Sequence, residues 1–270
     1  MFSVSLFRSF HDAAHEGDIR RLQARLGRGA DVDRRDQKGR TALYHAVRAG
    51  HKDAVELLLA HEADVNIPSG RGDTSLYQAA RRGHGSLVKL LLSRGADPNE
   101  RNRRGLTPFL VACVQGHLSI VKTLAEHGAE LNQLGKIGRT PLLVAVEKGH
   151  VDVAAYLLQR KVDINKQSSE GLSALMLATR LGDPQMARML IAQGADVDLA
   201  TSNGVSALVI AAMQGHIETA TILLEAGADY CRVYNGNMVP WQVAAANKHH
   251  KLSVLLREFE KKPKVGEGQS

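Results

Sequence analysis

Apolar residues in this chain fall into short helical stretches, and the stretches come in pairs. Thr41-Ala42-Leu43 opens a short apolar run that Gly50-His51 closes, and Val55, Leu58 and Leu59 then mark a second helix by their spacing. A polar segment with a glycine turn follows, and the pattern begins again. The opening phrase Gly39-Arg40-Thr41-Ala42-Leu43 returns at Gly72, Gly105, Gly138, Gly171 and Gly204, with a weaker copy from Asn237 to Trp241. From 39 to 237 is six intervals of 33 residues, without insertion or deletion. Gly-His recurs at Gly50, Gly83, Gly116, Gly149 and Gly215, with Gly182-Asp183 as the exception.

Each phrase has a mechanical reading. A Thr or Ser ahead of the apolar run is an N-cap, accepting a free N–H of the first turn. Pro108, Pro141 and Pro240 stand at the first helical position, where the missing donor costs nothing. The glycine of Gly-His ends the first helix in a left-handed conformation. The second helix runs to a closing Gly-Ala-Asp, as at Gly95, Gly194 and Gly227, and about ten extended residues lead to the next turn. One unit is therefore helix, turn, helix and a β-turn finger. A unit of this size cannot bury its apolar face alone, so the units must stack.

The period and the phrases resemble ankyrin repeats over about residues 6 to 260, which predicts an all-α solenoid of helix-turn-helix units with β-turn fingers. The predicted organisation is an N-terminal capping repeat at 1–38, six internal repeats at 39–236, a C-terminal capping repeat at 237–260 and a disordered basic tail at 261–270. At the C-terminal cap, Val239 stands in for the N-cap Thr and Trp241 for the core Leu. One departure from the family pattern is consistent. Where the family has His after Thr-Pro-Leu, this chain has Tyr44, Tyr77, Leu110, Leu143, Met176, Val209 and Gln242. In the family that His ties neighbouring loops, so the resemblance predicts looser polar bonding between repeats here. Aromatics make up only 4% of the chain, as suits thin layers built on Leu, Val and Ala.

The resemblance also implies where partners bind: a concave face made by the fingers and the exposed ends of the first helices. The net charge is +7, yet the face positions of repeats two to five carry +11. The candidate contacts there are Arg35, Lys38, Arg40 and Arg48, then Arg71, Arg81 and Arg82. Arg101, Arg103 and Arg104 follow in repeat four, and Lys136 and Arg139 in repeat five. In repeats six and seven the face is neutral, and the candidates are the apolar Leu172, Leu181, Val205 and Met213. A positive stripe draws anionic partners. The expected function is a non-enzymatic scaffold or adaptor for an acidic protein partner, acting as a monomer. The alternatives are substrate recognition within a multi-protein enzyme such as a ubiquitin ligase, and binding of a polyanion, nucleic acid or acidic lipid. The face lacks the interleaved aromatics that stack bases, which ranks nucleic acid lower.

Other chemistry is sparse. His11 and His15 are four apart on the first helix, but no third ligand accompanies them, so neither a metal nor another cofactor is expected. Asn66, Asn99, Asn132 and Asn165 each follow an acidic residue by two, with Leu eight before. The pattern resembles ankyrin asparagines hydroxylated by a dioxygenase and is also the family's loop consensus, so modification is not the expected reading. Cys113 and Cys231 do not form a disulfide framework and suit a reducing compartment. The location expected is the cytoplasm, with Lys261-Lys262-Pro263-Lys264 as the one candidate nuclear address. No phosphate loop, dinucleotide fingerprint or nucleophile elbow occurs.

Overall fold

The computed structural model describes residues 9–135 and 138–260. Within them are sixteen α-helices, and the chain divides into two compact units, Met1–Lys136 and Ile137–Ser270. The predicted tail at 261–270 and the candidate contact Lys136 lie outside the described residues.

The first unit holds four helix pairs: α1 (Phe10–Glu16) with α2 (Ile19–Leu26), α3 (Ala42–Ala49) with α4 (Lys52–Ala60), α5 (Ser75–Arg82) with α6 (Gly85–Ser93), and α7 (Pro108–Gln115) with α8 (Leu118–Glu126). First helices pack on first helices, α1 on α3 and α5 on both α3 and α7, while second helices pack in a parallel layer behind them. The side chains between the layers are those the period selected: Leu43, Leu58, Leu76, Leu91 and Leu124 are fully buried and Phe109 is nearly so. Each such Leu contributes roughly 2 kcal/mol by leaving water. All of them sit at interfaces between helices, so no repeat keeps this contribution by itself.

The second unit repeats the plan. It pairs α9 (Pro141–Glu147) with α10 (Val151–Gln159), α11 (Ala174–Leu181) with α12 (Pro184–Ala192), α13 (Ala207–Gln214) with α14 (Ile217–Glu225), and α15 (Pro240–Ala246) with α16 (His250–Glu260). Leu157, Leu190, Leu208 and Leu223 fill its core.

The caps behave as the residue types require. The hydroxyls of Thr41, Thr74, Thr107, Thr140, Ser173 and Ser206 each accept the N–H three residues on, at 3.1–3.4 Å. Ser9 and Asp12 cap α1 reciprocally. Val239 has no oxygen to offer, and only the return bond survives there, its N–H donating to Gln242 Oε1 at 3.0 Å.

The Gly-His pair locks one repeat to the next. A methyl group added to Gly50 would stand 2.9 Å from the His84 ring, and one on Gly215 2.5 Å from that of His249. Gly17, Gly83 and Gly182 face His51, His117 and His216 in the same way. The His51 ring is also hydrogen-bonded to the His15 carbonyl at 2.9 Å, and that of His249 to the Met213 carbonyl at 3.1 Å. The exception in the sequence has a structural answer. Asp183 replaces the histidine and turns inward to cap α12, accepting the Met186 N–H at 2.9 Å, and Gly149 faces open space.

Polar bonding between repeats is ample, carried by groups other than the absent family histidine. Asn66 Nδ2 donates to the Gly95 carbonyl while its Oδ1 accepts the Asp97 N–H, both at 3.0 Å. Asn99 does the same for Gly128 and Glu130, and Asn165 accepts from Asp196. At the same register, Asp33 accepts from Asp64 and Asp198 from Asp229. Of the asparagines that the sequence marks, Asn66, Asn99 and Asn165 are therefore rungs of the stack.

Candidate functional site

The fingers of the second, third and fourth repeats are tight hairpins closed by their own backbone. In the second repeat the Asp36 N–H donates to the Arg40 carbonyl and the Gly39 N–H to the Asp36 carbonyl. Ser69 with Asp73, and Asn102 with Leu106, close the next two fingers alike. Neighbouring fingers are joined by Gly70 N–H to the Lys38 carbonyl at 2.8 Å and Arg103 N–H to the Arg71 carbonyl at 3.0 Å. The hairpin tips therefore hold their side chains in a fixed row beside the ends of α3 and α5.

Between this row and the helices lie two adjoining clefts. The larger, about 580 Å³, is lined by Lys38 and Arg40 from the second finger, Tyr44 and Arg48 from α3, Arg71 and Asp73 from the third finger, and Gln78 and Arg81 from α5. The smaller, about 340 Å³, shares Arg71, Asp73 and Arg81 and adds Tyr77, Asn102, Arg103 and Arg104. Seven cations thus line the two clefts beside one acid, Asp73. Only Arg40 among them is neutralised, by Asp36 at 2.7 Å. Lys38, Arg48, Arg71, Arg81, Arg103 and Arg104 form no salt bridge among the described residues.

The Asp36 centre is the rigid end of the larger cleft. Its carboxylate takes hydrogen bonds from the Arg40 side chain and backbone, the Lys38 N–H and the His45 ring, at 2.8–3.0 Å. Burial pushes the carboxyl upward, but these donors together outweigh it and hold Asp36 well below the ordinary carboxylate range. Burial lowers His45, against the raising effect of Asp36, so the ring is neutral at neutral pH and donates from Nε2. His11 packs edge-on to His45 and its ring bonds the Arg34 carbonyl at 2.8 Å, while the His15 ring lies 6.2 Å from that of His45. Among the described residues no group of three or more His, Cys, Asp or Glu is arranged to hold a metal.

The two tyrosines stand where the family has histidine. Burial raises the Tyr44 hydroxyl, Asp73 adds to this, and Arg48, Arg40 and Arg81 oppose it. Burial and then Asp73 raise Tyr77 likewise, against Arg81, Arg104 and a hydrogen bond with Asn102. Both are protonated at neutral pH and present a donor toward the cleft. Cys113 is buried in α7, and burial pushes its thiol far up, so it packs as an inert apolar group. Cys231 is exposed, and both cysteines are free.

The other candidate contacts are placed differently. Arg35 donates to the Pro68 carbonyl of the next finger, and Arg82 and Arg101 are exposed outside the two clefts. In the second unit Arg139 is bound by Glu147, with Glu170 at 3.6 Å, and its side chain is only 18% exposed. Leu172, Val205 and Met213 are half-buried and Leu181 is 51% exposed. The clefts of that unit, at Ser202 to Gly236 and at Gly215 to Leu252, are lined by other residues. Sequence reasoning missed Gln78 and Asn102, whose part depends on which way a buried amide turns.

No helix among the described residues is long and apolar enough to cross a membrane. The model of ankyrin repeats, in three copies, matches residues 10–102, 76–168 and 160–234. Such repeats generally mediate protein–protein interaction, and the proteins that carry them are typically non-enzymatic. With helix pairs in register over most of its length and three overlapping matches to the family, the chain belongs to the ankyrin-repeat proteins.

Proposed function

We propose that this chain is a protein-binding scaffold that takes an extended acidic segment of its partner along the clefts of repeats two to four. The observation that carries the reading is the row of six cations lining two adjoining clefts with no salt bridge among the described residues, four on fingers that are bonded to one another and two, Arg48 and Arg81, on helices. An isolated surface charge has little effect, but several convergent ones steer an acidic partner and fix its register. Guanidinium groups dominate the row, and their planar forks match carboxylates in pairs. The apolar candidates of repeats six and seven belong to a secondary role in this reading, since none of the four lines the clefts at Ser202 to Gly236 and at Gly215 to Leu252.

The test is fluorescence anisotropy with fluorescein-labelled decaglutamate as probe. Replacing Arg71, Arg81 and Arg104 together by Glu should weaken binding by about thirtyfold and flatten its salt dependence. Circular dichroism should show unchanged helix content. Equal affinity and equal salt response in the triple variant would sink the reading.

A further inference from the structure

The single acid of the clefts is the feature that a simple basic groove leaves unexplained. Asp73 lies on the floor shared by both clefts, with cations of the second finger on one side and of the fourth on the other. It directly follows its finger glycine, the place that Arg40 takes in repeat two and Leu106 in repeat four. Arg40 is matched to a carboxylate there, but Asp73 is not matched to a cation. Its Oδ1 accepts from Asn102 Nδ2 at 2.7 Å and its Oδ2 from Gln78 Nε2 at 3.2 Å. Both amides are buried, 6% and 2% exposed, and both are neutral. The carboxylate is therefore oriented and held by neutral donors, with no salt bridge to a cation among the described residues. Asn102 is itself fixed, its Oδ1 accepting the Arg104 and Leu106 N–H groups at 2.9 and 3.0 Å.

Such a group repels any ligand that carries negative charge without a break, and it attracts a cation set between acids. Resting on the function proposed above, we propose that Asp73 is a specificity-determining residue, selecting an acidic segment interrupted by one lysine or arginine and disfavouring uniform polyanions such as nucleic acid. Spacing follows from the stack. Neighbouring repeats lie about 10 Å apart, as packed helices do. An extended peptide rises about 3.3 Å per residue. The cation facing Asp73 should then have its acidic neighbours about three residues away on either side, where the cations of the second and fourth fingers meet them.

The experiment uses the full chain and defined peptides. Fluorescein-labelled decaglutamate is compared with peptides carrying one lysine at each internal position in turn, and with norleucine at the same positions. Norleucine has the length of lysine without its charge, so the pair isolates the contact with Asp73 from the general loss of negative charge. At one internal register lysine should bind about fivefold more tightly than norleucine. In Asp73→Asn this preference should vanish, and uniform decaglutamate should bind about threefold more tightly than it does to the unaltered chain. Asparagine keeps the shape and can still accept from Asn102, so a purely structural Asp73 would leave the ranking of peptides unmoved. The lysine scan on the unaltered chain needs no variant. Lysine and norleucine indistinguishable at every register, or an equal lysine preference in Asp73→Asn, would overturn the assignment while leaving the acidic-partner reading intact. Absence of any arginine-dependent binding across the whole peptide set would overturn both.

Discussion

The two sides of each repeat obey opposite rules. At the helix junction the same pair recurs, a glycine in the left-handed region facing the imidazole of the next repeat, at Gly17, Gly50, Gly83, Gly182 and Gly215. On the finger side the residue after the turn glycine changes each time: Arg40, Asp73, Leu106, Arg139, Leu172, Val205. The junction is nearly uniform, with Gly149 opposite Asp183 as the exception, because each repeat has to fit its neighbour's back. The fingers are joined to one another through backbone groups, so the side chain after the turn glycine is left to vary and binding character collects there. Charge at that place is not equivalent to charge available to a partner. Arg139 has two glutamates within reach, whereas Arg71 and Arg104, which precede the turn glycines of the third and fourth fingers, have none within salt-bridge distance among the described residues.

The sharpest way to break this contrast is at the junction. Gly215→Ala adds a methyl against the His249 ring in a backbone conformation that L-residues avoid, and should cost about 3 kcal/mol. Gly149→Ala meets nothing within 4 Å and should cost only about 1 kcal/mol, from backbone strain alone. Urea denaturation followed by circular dichroism measures both, and equal losses would show that the imidazole is no part of the lock.

A smaller effect is expected at the Asp36 centre, where a finger is tied to its helix. His45 is lowered in the folded chain, so its contribution is whole above its ordinary value of 6.5 and is lost as pH falls below that. Asp36 is lowered too, and its contribution is lost only below its ordinary 3.8. Between pH 7.5 and 5 the chain should lose about 1 kcal/mol, on the scale of one hydrogen bond. His45→Gln, which keeps a donor toward Asp36 and cannot titrate, should flatten that part of the profile in thermal melts. An unchanged slope would place the titrating group elsewhere.

The smallest effect concerns paired against unpaired charge. Glu147→Gln with Glu170→Gln frees Arg139 and should raise affinity for decaglutamate by about twofold. Arg139→Gln in the unaltered chain should change it less. A larger loss from that variant would mean that a paired arginine contributes as much as a free one.

Most of the fold is legible in the sequence because its determinants are local. Thr or Ser ahead of an apolar run and Gly ahead of His act within a single turn, and the exact period carries them from repeat to repeat. The basic row is legible for the same reason, since Lys38, Arg71 and Arg104 are found by counting from a turn glycine. The state of each charge is not. That Arg139 is bound depends on Glu147 turning back to it from the end of α9 and on Glu170 of the next finger, and that Asp73 is held by amides depends on Asn102, 29 residues on. The ties made by Asn66 and Asn99 are hidden on similar grounds, because their partners lie about 30 residues away.

Those rungs differ in one respect that bears on how the molecule comes apart. An asparagine can both donate and accept a hydrogen bond, so Asn66 and Asn99 clasp the following repeat twice. Asp33, at the outer edge of the first unit, and Asp198, between the second and third helix pairs of the second, can only accept, and theirs is a one-handed grip. In the first unit, breathing motions should thus begin at its N-terminal repeat and die out toward the double-clasped third repeat, which leaves the Asp73 floor on its quietest part.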